Sequence, residues 1–218
     1  MENLPNEIAN DIIARVGMGC CTDLFSAQLS CKYFKKIAED DYVYHNLSMH
    51  KCPITEWEIL SDHQRAFIRR CLQSNNAELI YRQGMKSCFS DVDMNWGCVL
   101  LEAAERLGYL KAKYARAIVL LISSEYEGME VGIKLLEEMT QSRTICMQVP
   151  ACRERFIEVI SSIWINNRDF QLPRCCLKEV THKKTFDLYS MDQFEVTGCY
   201  ECNADIEVRK IVGYIPLH

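Results

Sequence analysis

Proline and glycine are scarce, at five and nine among 218 residues. That scarcity excludes a collagen-like chain and an all-β chain crowded with turns. With a hydrophobic fraction of 49% it also excludes a disordered chain. Long apolar runs are missing too. The longest, Ala117 to Ile122, falls far short of the roughly 18–20 residues of a membrane-spanning helix. There is no long Lys/Arg run, and the net charge is −5. The broad positive field of a nucleic-acid-binding surface is therefore not expected. The opening residues MENLPNEIAND carry neither a basic nor an apolar signal region, so the expected compartment is reducing, cytoplasmic or nuclear. No phosphate-binding glycine loop, Gly-x-Ser-x-Gly, His-Glu-x-x-His or dinucleotide fingerprint occurs.

What is abundant is cysteine, with thirteen residues. In a reducing compartment most of these should be free thiols that pack as small hydrophobes. Cys71, Cys88, Cys98 and Cys152 sit in apolar helical patterns and fit that role.

The first forty residues predict three short helices. Pro5 suits a first helical turn and Glu7 suits its positive end. Ile8, Ile12 and Val16, with Ile13 beside them, make an apolar stripe. Gly17 and Gly19 are expected to stop this helix. Thr22-Asp23 starts a second helix, lined by Leu24, Phe25 and Leu29, and Cys31, Phe34 and Ile37-Ala38 continue into a third. Three helices of this size cannot bury their own apolar surface, so a partner or the following chain must cover it.

The combination Leu4-Pro5-x-Glu7-Ile8, Ile12, Val16, Asp23-Leu24-Phe25 and Leu29-Ser30-Cys31-Lys32-x-Phe34 resembles the F-box. In that family the motif binds the Skp-type adaptor of SCF (Skp–cullin–F-box) ubiquitin ligases. The resemblance implies that Leu4, Pro5, Ile8, Ile12, Leu24, Leu29 and Phe34 form or support the adaptor-docking surface. Leu24, Leu29 and Phe34 are equally suited to holding the three helices together.

After Pro53, two capping boxes are written in the sequence, Thr55 with Glu58 and Ser61 with Gln64. The second opens a helix carrying Phe67, Ile68, Cys71 and Leu72, and Asn75-Asn76 ends it. An internal repeat follows. Leu79-Ile80-Tyr81-Arg82-Gln83-Gly84-Met85 aligns with Ala112-Lys113-Tyr114-Ala115-Arg116-Ala117-Ile118 at an offset of 33. Gly97-Cys98-Val99-Leu100-Leu101-Glu102-Ala103-Ala104 aligns with Gly132-Ile133-Lys134-Leu135-Leu136-Glu137-Glu138-Met139 at an offset of 35. A period in the mid-thirties is that of stacked helix hairpins of the tetratricopeptide type. The phrase Ala103-Ala104-x-x-x-Gly108-x-x-x-Ala112-x-Tyr114 resembles the Sel-type version. Flanking helices should cap so short an array, and the helix from Ala151 to Ile165 is the C-terminal candidate.

The tail holds Cys175-Cys176, His182 and Cys199-Tyr200-Glu201-Cys202. Cys-x-x-Cys is the spacing of two thiolates on one tetrahedral zinc. Cys176, His182, Cys199 and Cys202 are the candidate ligands, although adjacent Cys175 and Cys176 depart from a clean pattern. Without zinc the tail is expected as an irregular segment or β-hairpin, with a last short helix or strand over Glu207 to Ile211.

The whole arrangement resembles a plant F-box family that joins an F-box to short Sel-type repeats and a cysteine-bearing tail. Asp23-Leu24-Phe25, Leu29-Ser30-Cys31-Lys32, Ala38-Glu39-Asp40 and Tyr81-Arg82-Gln83-Gly84-Met85 fit it. The expected fold is mainly α: a three-helix F-box over 1–48, a helical linker over 49–75, repeats with a capping helix over 76–167, and a tail over 168–218. The resemblance implies a non-catalytic adaptor that joins a Skp-type adaptor and cullin complex to an unknown target protein. No nucleic acid, membrane or cofactor is implied beyond the zinc that the tail suggests. The rival readings are a helical-repeat scaffold with no ubiquitin role and a cysteine- or zinc-dependent enzyme.

Overall fold

The structure, a computed structural model, describes residues 5–50, 52, 61–123, 126–166, 170–173 and 199–215. The Thr55–Glu58 box, Cys175, Cys176 and His182 lie outside them. All regular structure among the described residues is helical. Two compact units divide the chain, Met1–Arg82 and Gln83–His218.

The first unit opens with α1 (Asn6–Gly19), α2 (Cys21–Ser30) and α3 (Lys32–Ile37). Gly17 does not stop α1. It lies inside the helix, where an added Cβ would meet a Leu47 methyl at 2.8 Å, and the helix ends two residues later at Gly19. The apolar stripe of α1 divides in two. Ala9, Ile13, Ala14 and Gly17 face the core, while Ile8 and Ile12 face outward. A fourth short helix, α4 (Asp41–Asn46), joins the three expected ones. Asp40 caps it by accepting from the Tyr42 N–H at 2.9 Å. Next comes α5 (Asp62–Gln73), opened by the Ser61–Gln64 capping box with both reciprocal bonds in place. These helices enclose Ala9, Ile13, Leu24, Ile37, Val43, Leu47, Met49 and Cys71, with Phe34 packed against that cluster.

Asn75 takes a left-handed conformation (φ 55°), which Asn tolerates, and turns the chain out of α5. Asn76 follows, almost fully buried. Its amide nitrogen donates to the carbonyls of Tyr44 (2.9 Å), His45 (3.3 Å) and Leu47 (2.8 Å), the open end of α4. Its side-chain oxygen accepts the Leu79 N–H at 3.2 Å, capping α6 (Ala77–Phe89). One turn on, Arg82 reaches the Cys52 carbonyl at 3.1 Å and also the Met49 carbonyl, and pairs with Glu78 at 2.7 Å. Glu78 in turn accepts the Met49 N–H at 3.1 Å.

In the second unit α7 (Met94–Arg106), α8 (Leu110–Ile122) and α9 (Tyr126–Gln141) follow, with short α10 (Arg143–Cys146) and α11 (Val149–Ser162). The internal repeat is visible as backbone contact. An added Cβ at Gly97 would stand 3.0 Å from the Gly84 carbonyl. At Gly132 it would stand 2.9 Å from the carbonyl of Ala117, the residue aligned with Gly84. Helix α8 packs on α7, α9 and α11. Most of it is enclosed, with Ala112, Tyr114, Ala115, Ala117, Ile118, Val119, Leu121 and Ile122 all buried, while its remaining side carries Lys113 and Arg116, which pair with Glu138 and with Glu102 and Glu105. Phe156 of α11 meets Tyr114 and Phe89 edge-on, at 6.0 and 5.8 Å between ring centres. A last helix, α12 (Tyr200–Ile211), packs on α8 and α9 and leads into a 3₁₀ turn over Val212–Tyr214. Of the short helix or strand expected over Glu207 to Ile211, the helix is present, and it begins earlier than expected, at Tyr200.

Replacing Asn76 with Ala leaves the α4 carbonyls and the Leu79 N–H without a partner. Chemical denaturation of the Asn76→Ala chain is expected to show the Met1–Arg82 unit destabilised by about 2–3 kcal/mol, the scale of unsatisfied buried polar groups.

Candidate functional site

The outward face of the first unit is apolar in a way its core does not require. Ile8 and Ile12, one turn apart on α1, are 50% and 47% exposed. Phe25 and Leu29, one turn apart on α2, are also exposed, Leu29 to 89%. Met18, near the end of α1, is exposed as well. The Phe25 ring is anchored from one side, edge-on to Phe67 of α5 at 5.2 Å.

The sequence-derived docking residues separate by position. Pro5, Ile8, Ile12 and Leu29 lie on the exterior. Leu24 is fully buried, and Phe34 is half-buried against the same core. Both therefore belong to the core of the first unit and not to its exterior. Leu4 falls outside the described residues. Met18 shares the exterior, and so does Phe25, a residue of the F-box-like pattern outside the docking set that the resemblance implies. The signal for Phe25 is its spacing of four from Leu29, which places both on one helix face.

Cysteine is the other candidate chemistry. Cys21 and Cys52 bring their sulfurs to 3.7 Å. Burial, with these two thiols nearby, pushes the Cys71 thiol up to about 12. Burial, with Cys21 beside it, does the same to Cys52, also to about 12. Burial raises Cys152 to about 11. Thiols held protonated at neutral pH are poor nucleophiles and act as packing groups. In the tail, Cys199 immediately precedes α12 and is half-buried, and Cys202 lies buried in its first turn. The pair thus begins a helix, an arrangement compatible with two of four zinc ligands. Cys176 and His182 lie outside the described residues. Among the described residues, no group of three or more metal-binding side chains gathers.

An apolar-faced helical unit followed by stacked helix hairpins defines the class, an F-box-like protein with helical repeats. Residues 1–50 match the F-box-like family, and residues 49–161 match the family described as plant tetratricopeptide repeats. The chain belongs to the plant tetratricopeptide repeat family, with an F-box-like domain ahead of its repeats. Two Arabidopsis thaliana proteins with F-box in their names are similar to it. One, At1g67623, is 23% identical over 142 residues, 64% of this chain and 47% of its own length. The other, At2g35280, is 25% identical over 141 residues, 63% of this chain and 83% of its own length. The match therefore spans about half the length of the first relative. No solved structure matches. No helix among the described residues is long and apolar enough to cross a membrane.

The raised thiols set an alkaline limit on the fold. A folded pKa near 11–12, against an ordinary value of 9.0, means the fold prefers the neutral thiol. The stabilisation is complete below pH 9 and is lost as pH climbs through the folded values. Urea unfolding at pH 8, 9, 10 and 11 should show stability falling above pH 9, with a shallower fall in a Cys71→Ala chain.

Proposed function

We propose that this protein is the substrate-receptor subunit of an SCF-type E3 ubiquitin ligase. It binds a Skp-type adaptor through the exterior of α1 and α2 and holds a target protein with its helical repeats or tail. The observation that carries the reading is the exposure of Ile8, Ile12 and Leu29 on a unit whose sequence is F-box-like. Exposed apolar side chains grouped on helix faces mark an interaction surface. Leu4, Pro5, Ile8, Ile12 and Leu29 contact the adaptor in this reading, and Leu24 and Phe34 fix the helices that present them. The protein performs no chemistry of its own. It raises the effective concentration of its target beside a ubiquitin-loaded enzyme. Such an adaptor works in the cytoplasm or the nucleus, and the net charge of −5 gives it no general attraction to nucleic acid.

The test is co-purification with a Skp-type adaptor, comparing the native chain with an Ile8→Asp, Leu29→Asp double variant. Because both residues are exposed, the variant should melt within about 0.5 kcal/mol of the native chain. Loss of two central apolar contacts should weaken adaptor binding by about a hundredfold or more. A native chain that folds and ignores the adaptor sinks the ligase reading and leaves a repeat scaffold with no ubiquitin role.

Zinc in the tail is a separate part of the proposal, with Cys176, His182, Cys199 and Cys202 as ligands. Its support is the Cys-x-x-Cys spacing at the start of α12. Metal analysis of the purified chain should find zinc in near-stoichiometric amount and lose it in the Cys202→Ser chain. A native chain without zinc removes the site.

A further inference from the structure

Tryptophan carries a large apolar area that a fold gains by burying. Trp96 and Trp164 are nevertheless 54% and 64% exposed. Both are rooted at one turn of α6. A Cβ on Gly97, next to Trp96, would stand 2.9 Å from the main-chain nitrogen of Cys88. Asn166, two residues past Trp164, donates its backbone N–H to the Phe89 carbonyl and its side-chain amide to the Ser90 carbonyl, both at 2.9 Å. Along α7, Val99 follows Trp96 at i+3 and is also half exposed, while Gly97, Leu101 and Ala104 form the buried side of the helix.

Val92 completes this corner at the expense of the fold. It lies between α6 and α7 with φ 58°, a left-handed conformation that its branched Cβ disfavours. Neighbouring bonds hold it there: the Asp91 N–H donates to the Lys86 carbonyl at 3.1 Å, and the Asp93 N–H to the Ser87 carbonyl at 3.0 Å. Glycine or asparagine would take the same turn with less strain. Nor does burial offset the strain, since half of Val92 is exposed. Strain at an exposed apolar side chain points to a use at the surface.

The charge around the corner has one prevailing sign. Asp91 and Asp93 flank Val92, and both are exposed. Asp93 Oδ1 accepts the Trp96 N–H at 3.0 Å, which holds its carboxylate at the first turn of α7. From Ser90 to Val99 the chain has these two carboxylates and no cation, and Ser161 to Asn166 is uncharged. Lys86, in the last turn of α6, is one cation against two. An apolar surface with an anionic rim suits a partner that brings aliphatic side chains and a cation. Arginine fits both features, because its flat guanidinium stacks on an indole and forks onto a carboxylate.

We propose that Val92, Trp96, Val99 and Trp164 form a docking site for a target segment in which an arginine stands beside aliphatic residues. The arginine meets Trp96 and the carboxylates of Asp91 and Asp93, and the aliphatic residues cover the two valines and Trp164. The proposal rests on the reading in which the repeats hold a target, and it gives the chemistry of the segment they accept.

The probe is a library of short random peptides displayed on phage, selected on the full native chain and counter-selected on the Trp96→Ala chain. Enriched peptides should carry arginine next to an aliphatic residue. Made synthetically, the best of them should bind the native chain about tenfold or more tighter than its citrulline counterpart, and should lose about tenfold on an Asp91→Asn, Asp93→Asn chain. Asparagine still caps α7, so that chain should melt with the native one. Val92→Asn separates binding from folding. It should weaken the peptide by about fivefold and melt no lower than the native chain, whereas a merely structural Val92 would lower both. Enrichment without arginine, binding indifferent to citrulline, or no peptide that prefers the native chain to the Trp96→Ala chain overturns the proposal. Adaptor capture reads the exterior of α1 and α2 separately. Its loss with peptide binding intact sinks the ligase reading alone, and the opposite pattern sinks this proposal alone.

Discussion

The repeat unit rests on one constraint: two pairs of helices pass so closely that their main chains touch. At Gly97 and Gly132 there is no room for a side chain: a Cβ at Gly97 would meet Cys88 (its Sγ, and its backbone N at 2.9 Å) and the Gly84 carbonyl (3.0 Å), and one at Gly132 would meet the Ala117 carbonyl and the Leu121 side chain, both at 2.9 Å. That contact sets the separation within each hairpin, and the separation sets what else fits. It draws α8 among α7, α9 and α11, so that most of its residues are buried. Close packing supplies dispersion contacts on every face, which suits the small side chains Ala112, Ala115 and Ala117.

The first unit solves a different problem. Its helices α3 and α4 have six residues each, too short to persist by themselves. Long-range polar bonds supply the missing order. Asn76 collects the carbonyls that α4 leaves open, and Arg82 collects those of Met49 and Cys52. The core beneath α1 and α2 is thereby complete without help from their outer faces. Ile8, Ile12, Phe25 and Leu29 remain at the surface because nothing inside the unit needs them there.

Much of this was legible in the sequence, and the misses have physical causes. The Ser61–Gln64 box reads directly because a cap is a local device. The repeat reads through its offsets, since equal spacing repeats equal packing. Whether Leu24 or Leu29 faces outward is not written in the pattern, because the two stand at opposite ends of one broad apolar side and only the tertiary core breaks the tie. Helix α4 escaped notice at six residues, less than two full turns of periodicity. Gly17 looks like a stop signal and is instead a close-approach position for Leu47. Asn76 looks like a helix end, which it is, but its three carbonyl partners lie about thirty residues back. The polar face of α12 hides its burial, because hydrophobic patterning does not register a helix seated by an ion pair, Glu207 with Arg153 of α11.

The Asn76 bonds also give the F-box-like segment a physical boundary unlike its pattern boundary. The pattern ends at residue 50, whereas the amide that satisfies the end of α4 arrives at residue 76. During synthesis those carbonyls have only water as partner until the later segment emerges, an interval on the order of seconds. A fragment cut at the pattern boundary keeps the helices and loses the pin that holds their last turn. The smallest piece able to present its apolar exterior in a fixed shape therefore extends through Arg82.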